Sequence, residues 1–156
     1  MPEFKTWIAP LAIGLVLATG TTFAADKQTT MLGSGGAGGV YYPVGLAVCK
    51  FANTALSASG QNCEAKTSAG SVANLRALRA GDLQLALAQS DQHYHSLKGV
   101  AAFKKAGPYP DLRSLFSLHS EPFTLVAHTD SGIRTVPDLA GKTVNIGVVG
   151  SGPRDA

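Results

Sequence analysis

The residues best suited to chemistry form one run, Gly33-Ser34-Gly35-Gly36-Ala37-Gly38-Gly39-Val40-Tyr41-Tyr42-Pro43-Val44-Gly45. Without Cβ atoms, backbone N–H groups in such a run can turn outward toward a ligand. A helix that opens directly after it adds unpaired N–H groups and the positive end of its dipole. The chemistry this implies is capture of an anionic group, a phosphate or a carboxylate. Gly36 and Gly39 are the candidate backbone donors. Tyr41 and Tyr42 each offer a ring to wall the site and a hydroxyl to donate. They are adjacent, so only one is expected to face the ligand, and which one stays open. Ser71, Gln89 and Ser90 bring neutral donors from two further small-residue loops, although Ser71 serves equally well as a helix cap. Ser151 and Arg154 follow a late glycine loop, and an arginine fork matches a carboxylate.

Other chemistries fit these residues less well. Gly33, Gly35 and Gly38 satisfy the Gly-x-Gly-x-x-Gly dinucleotide spacing, a weak signal by itself. The next strand carries its acidic residue, Glu64, at its start, where it cannot hold a ribose. Pro43 and two tyrosines occupy the opening of the helix. His93 and His95, with Asp91, suggest a metal, but residues two apart on a helix point to nearly opposite sides. No nucleophile-elbow pattern is present, and no Ser-His-Asp grouping can be placed. The expectation is therefore binding without turnover, with no cofactor and no metal. A small exported nucleotide- or metal-dependent enzyme is the alternative.

These candidates need elements to position them. Strand-like Thr29–Gly33 leads into the first glycine loop, followed by an apolar, helix-like run to Leu56 with Pro43 in its first turn. A second strand is expected at Cys63–Thr67, ending in Ser68-Ala69-Gly70-Ser71. Val72, Leu75 and Leu78 then recur at helical spacing, with Arg76 and Arg79 off the stripe. Gly81-Asp82 breaks that helix before a third strand, Leu83–Ala88, which runs into Gln89-Ser90-Asp91 and another helix. Three strand–loop–helix units in succession predict an α/β fold with a parallel sheet. Ligands of such sheets sit beyond the carboxyl ends of the strands, where the three loops gather. Farther on, Leu112–Leu118, Phe123–Ala127 and Thr143–Val148 read as strands, and Val136–Gly141 as a short helix. The final strand and glycine loop at Gly150-Ser151-Gly152 lack a covering helix, which points to a truncated product.

The 13 Lys/Arg residues against 10 Asp/Glu give a net charge of only +3, without basic clusters, which argues against nucleic acid as a partner. Residues 1–24 read as a secretory signal: Lys5, an apolar stretch from Trp7 to Ala18, and small residues before a cleavage point between Ala24 and Ala25. The apolar stretch is short for a membrane span and contains Pro10. Export places Cys49 and Cys63, the only two cysteines, in an oxidising compartment and predicts a disulfide between them.

The order of these motifs resembles the TAXI family, the solute receptors of TRAP (tripartite ATP-independent periplasmic) transporters. The residues that carry it are Gly33–Gly45, Gly70-Ser71-Val72 with Asn74, Ala88-Gln89-Ser90-Asp91, Phe116 through Phe123, and Asn145-Ile146-Gly147 through Gly152. The resemblance covers essentially the whole mature chain and corresponds to about the first half of a complete member. It implies a type II-like periplasmic binding-protein fold. Its first lobe would occupy residues 25–122, and residues 123–156 would form the hinge and the truncated start of a second lobe. It further implies a periplasmic receptor that closes on a small carboxylate, glutamate or a related dicarboxylate, and delivers it to the TRAP permease subunits in the membrane.

Overall fold

The computed structural model describes residues 28–154. The expected signal segment at 1–24 lies outside the described residues. The first strand, β1 (Thr29–Gly33), is β-branched at its start and occupies the centre of the sheet. It pairs in parallel with β2 (Asn62–Lys66), Thr29 opposite Asn62 and Gly33 opposite Lys66. On its other side it pairs in parallel with β3 (Leu85–Ala86), Leu32 opposite Leu85. The order is β2-β1-β3.

Helix α1 (Tyr41–Leu56) connects β1 to β2, and α2 (Ser71–Ala80) connects β2 to β3. The two crossovers step across the sheet in opposite directions. The right-handed rule for parallel crossovers then sends the two helices to opposite faces. Packing follows that division. Leu32, Cys49, Cys63 and Leu87 form one core with Val44, Val48 and Ala65 under α1. Val72, Leu75, Phe103 and Leu112 form a second under α2.

Helix α1 seats closely because Gly45 faces the sheet. A Cβ there would lie 3.1 Å from both Leu32 and Ser34 and 3.3 Å from Ala65. The Cys49–Cys63 disulfide ties the same helix to β2, with Cα atoms 5.0 Å apart. Beside it Asn53 makes a reciprocal pair with the Cys63 backbone, accepting from N–H at 2.6 Å and donating to C=O at 3.0 Å.

Helix α2 stops at Gly81 and α3 (Ser90–Lys98) at Gly99, both in the left-handed conformation. Arg76 and Arg79, off the apolar stripe as expected, reach across to the segment after α3. They donate to the carbonyls of Ala102 (2.9 Å) and Gly107 (2.7 Å), and the Arg79 guanidinium lies 5.5 Å from the Tyr109 ring centre.

The helical units begin and end within a few residues of the sequence expectation, but the strands differ more. β3 is shorter than Leu83–Ala88: at its start the Gln84 side-chain oxygen takes Met31 N–H at 2.9 Å, while Gln84 N–H and Leu87 N–H still reach the Met31 and Gly33 carbonyls on either side of it. Leu112–Leu118, Phe123–Ala127 and Thr143–Val148 form no strands among the described residues. Their alternating apolar residues suit a sheet, but no strand lies beside them to complete a ladder. Leu115, Phe116, Phe123, Val126 and Val148 are left exposed. Val136–Leu139 is a single 3₁₀ turn. Thr135 and Asp138 close it as a capping box.

Candidate functional site

The loops after β1, β2 and β3 are bolted together by polar side chains. Ser34, fully buried, donates from both N–H (2.9 Å) and Oγ (2.6 Å) to the Lys66 carbonyl at the end of β2. Ser68 returns the tie, its N–H to the Gly35 carbonyl (3.1 Å) and its Oγ to the Ser34 carbonyl (3.0 Å). Asn74, on the inner face of α2 and 0% exposed, donates through Nδ2 to the carbonyls of Ser34 (2.7 Å) and Leu87 (2.8 Å). It thereby joins the first loop to the third. Ser71 Oγ accepts from Gln89 N–H at 3.1 Å and joins the second loop to the third.

Ser71 therefore bridges two loops and is not a cap. The cap position belongs to Gly70, and Ser71 is the first residue of α2. Its side chain turns toward Gln89, the cap of α3, and accepts that N–H.

These ties draw the loops around one small cavity of about 230 Å³. It is lined by the glycine loop (Gly35, Gly36, Gly39 and Val40), Tyr41, Gly70 and Ser71, with Gln89, Glu121 and Pro153. Gly36, Gly39, Tyr41, Ser71 and Gln89 were all singled out in the sequence. Gly39 spends its N–H on the Gly36 carbonyl at 2.9 Å and so shapes the turn. Among the described residues, the N–H groups of Gly36, Val40, Tyr41 and Tyr42 have no protein acceptor. They are donors available at the loop and the first turn of α1, with the dipole behind them.

Tyr41 faces the cavity and Tyr42 does not line it. The Tyr41 hydroxyl donates to Glu121 Oε2 at 2.5 Å, and the edge of its ring meets His119 with centroids 6.1 Å apart. Burial pushes the Tyr41 hydroxyl well above the usual phenol range, and the Glu121 hydrogen bond adds to the rise while Ser71 opposes it. The hydroxyl thus remains a proton donor across the physiological range.

Ser90 is exposed and borders a wider cleft of about 1540 Å³, walled mostly by apolar residues of the 112–148 segment. That cleft shares Tyr41, Gln89, Glu121 and Pro153 with the small cavity but lacks its convergent N–H donors. Ser151 lines neither space. It packs against Gly70, with its Oγ buried and without a partner.

Its loop reaches the start of α2 in another way. The Gly150 carbonyl accepts from the N–H groups of Val72 and Ala73, both at 3.1 Å. The α2 terminus is thus already occupied by the chain itself. Gly152 lies so close to Gln89 that a Cβ there would collide with its side-chain oxygen. Arg154 is exposed and outside the cavity lining. His93 and His95 are half-buried on α3, and no group of three or more His, Cys, Asp or Glu converges among the described residues.

Two site residues escaped assignment from sequence. Asn74 stands in a motif of the family resemblance but is given no part in the site there, reading as a polar residue beside Leu75. Glu121 lies 80 residues from Tyr41 in the chain, and no local pattern joins them.

A parallel α/β unit whose strand-end loops close round a polar cavity is the arrangement of a periplasmic-binding-like lobe. The NMT1-like family matches residues 32–156, most of the chain, and the protein belongs to that family. It is a periplasmic-binding-like family related to solute-binding receptors, which take a small-molecule ligand, work with a membrane transporter and are typically extracytoplasmic. Among the described residues no helix is long and apolar enough to cross a membrane.

Proposed function

We propose that this chain is the ligand-capturing portion of an extracytoplasmic receptor of the TAXI type, serving a TRAP permease. Its solute is a small carboxylate, glutamate or a related dicarboxylate, and its action is binding without turnover. Residues 25–122 act as the first lobe. The chain from Phe123 begins the second, and export follows cleavage after Ala24.

One observation carries this reading. Loops from three strand ends share one cavity, and the first of them presents N–H groups with no protein acceptor. Such donors replace the water shell of a carboxylate without a full countercharge. Closure of a second lobe over the cavity would exclude solvent and strengthen each bond.

Isothermal titration against a panel of amino acids and dicarboxylic acids tests the proposal. Saturable heat with glutamate-sized carboxylates is the expected result. Saturable binding or hydrolysis of a nucleotide in place of a carboxylate would overturn it.

A further inference from the structure

The cavity contains an element that a receptor for simple anions would not need. Glu121 is part of its lining, and no lysine, arginine or histidine is. Asp91 lies close enough to act electrostatically on the same Tyr41 hydroxyl, which adds a second negative charge nearby. The one ion pair among the described residues is His128–Asp130, so Glu121 is not neutralised by a protein cation.

Its Oε2 is fixed by the Tyr41 hydroxyl, while Oε1 has no protein donor among the described residues. Gln89, also in the lining, has its side-chain oxygen buried without a donor. The cavity therefore has two characters. Backbone N–H groups of Gly36, Val40 and Tyr41 have no protein acceptor, and oxygens of Glu121 and Gln89 have no protein donor, among the described residues.

A dicarboxylate satisfies the N–H groups and is repelled by Glu121. A zwitterion satisfies both, with its carboxylate on the glycine loop and its ammonium on Glu121. We infer that Glu121, held in place by Tyr41, is a specificity-determining residue that selects amino acids, bearing a free ammonium group, over dicarboxylates of the same skeleton. This inference rests on the receptor reading above and narrows its ligand class.

Titrating the full chain with L-glutamate and with glutarate, which differs only in lacking the amino group, tests it. The unmodified protein is expected to bind glutamate at least about tenfold more tightly, the scale of a charge-assisted hydrogen bond. Glu121→Gln is expected to weaken glutamate about tenfold and to leave glutarate unchanged or tighter. Tyr41→Phe, which frees the carboxylate without removing it, is expected to narrow the preference less. Glu121 is exposed, and circular dichroism of each variant checks that the fold is kept. Equal affinity of the unmodified protein for the two ligands would refute the role of Glu121 and leave the receptor reading standing. Equal loss of both ligands in a folded Glu121→Gln variant would do the same. Binding of neither ligand, nor of any other carboxylate or amino acid, would remove both.

Discussion

Asn74→Leu is the substitution that most directly tests how the cavity is assembled. The side chains share one branched skeleton, but leucine is the bulkier, and in a fully buried position its methyl groups add about 1 kcal/mol of packing cost. What disappears is Nδ2, the donor that joins the loop after β1 to the loop after β3. The two carbonyls it serves are not equally exposed to the loss. The Ser34 carbonyl keeps the Ser68 hydroxyl at 3.0 Å, whereas among the described residues Asn74 is the only donor to the Leu87 carbonyl.

Stranding a buried carbonyl costs about 1–3 kcal/mol, and losing a second bond to a group that retains one costs about 1 kcal/mol. Against this, Asn74 Oδ1 has no partner in the native protein, so leucine also removes one unpaired acceptor. The sum is a destabilisation of about 2 kcal/mol. With a urea m-value of about 2 kcal/mol/M, the unfolding midpoint should fall by about 1 M. Urea unfolding followed by far-UV circular dichroism, with the disulfide oxidised in both proteins, measures the shift directly. An unchanged midpoint at equal m would refute the claim that Asn74 holds the two loops together. The same variant should also lose ligand affinity beyond what its stability explains, since the loops it joins line the cavity.

Replacing Cys49 and Cys63 together by alanine opens a loop of 14 residues in sequence separation. It should cost about 3 kcal/mol on the chain-entropy account, read as a lowered midpoint in the same urea experiment. Two free thiols in the unfolded, unreduced native protein would contradict the bridge itself. Asp138 accepts from Arg134 N–H, from the Thr135 hydroxyl and from Thr135 N–H, and these bonds hold its carboxyl below the ordinary value. The folded form is the one with the depressed pKa. The capping contribution is therefore complete above the unfolded pKa and is lost as pH falls through the folded one. An NMR titration of the Asp138 carboxyl should show the depression, and Thr135→Val should move it back toward the ordinary value.

The order of elements was legible from local patterns because their determinants are local. Thr29–Gly33, the stripe at Val72, Leu75 and Leu78, and the stops at Gly81 and Gly99 each lie within one or two turns of the chain. The cysteine pair was legible for a chemical reason, since a chain with two cysteines has one intramolecular disulfide available to it. Strand propensity at 112–148 was equally visible and did not produce strands. A strand is completed by a partner's ladder, and propensity supplies no partner.

Tertiary structure decided the rest through contacts between groups distant in sequence. Packing of α1 on the sheet chose Tyr41 over Tyr42 for the cavity. Ser71 reads as a cap within its own turn and becomes a bridge because Gln89 N–H arrives beside it. Asn74 reads as an unremarkable helix residue until two strand-end carbonyls meet its amide. Glu121 enters the site only because the chain returns to Tyr41 after 80 residues. A hydrogen bond is made by whichever donor and acceptor the fold brings within about 3 Å, and that choice lies beyond the range of any local pattern.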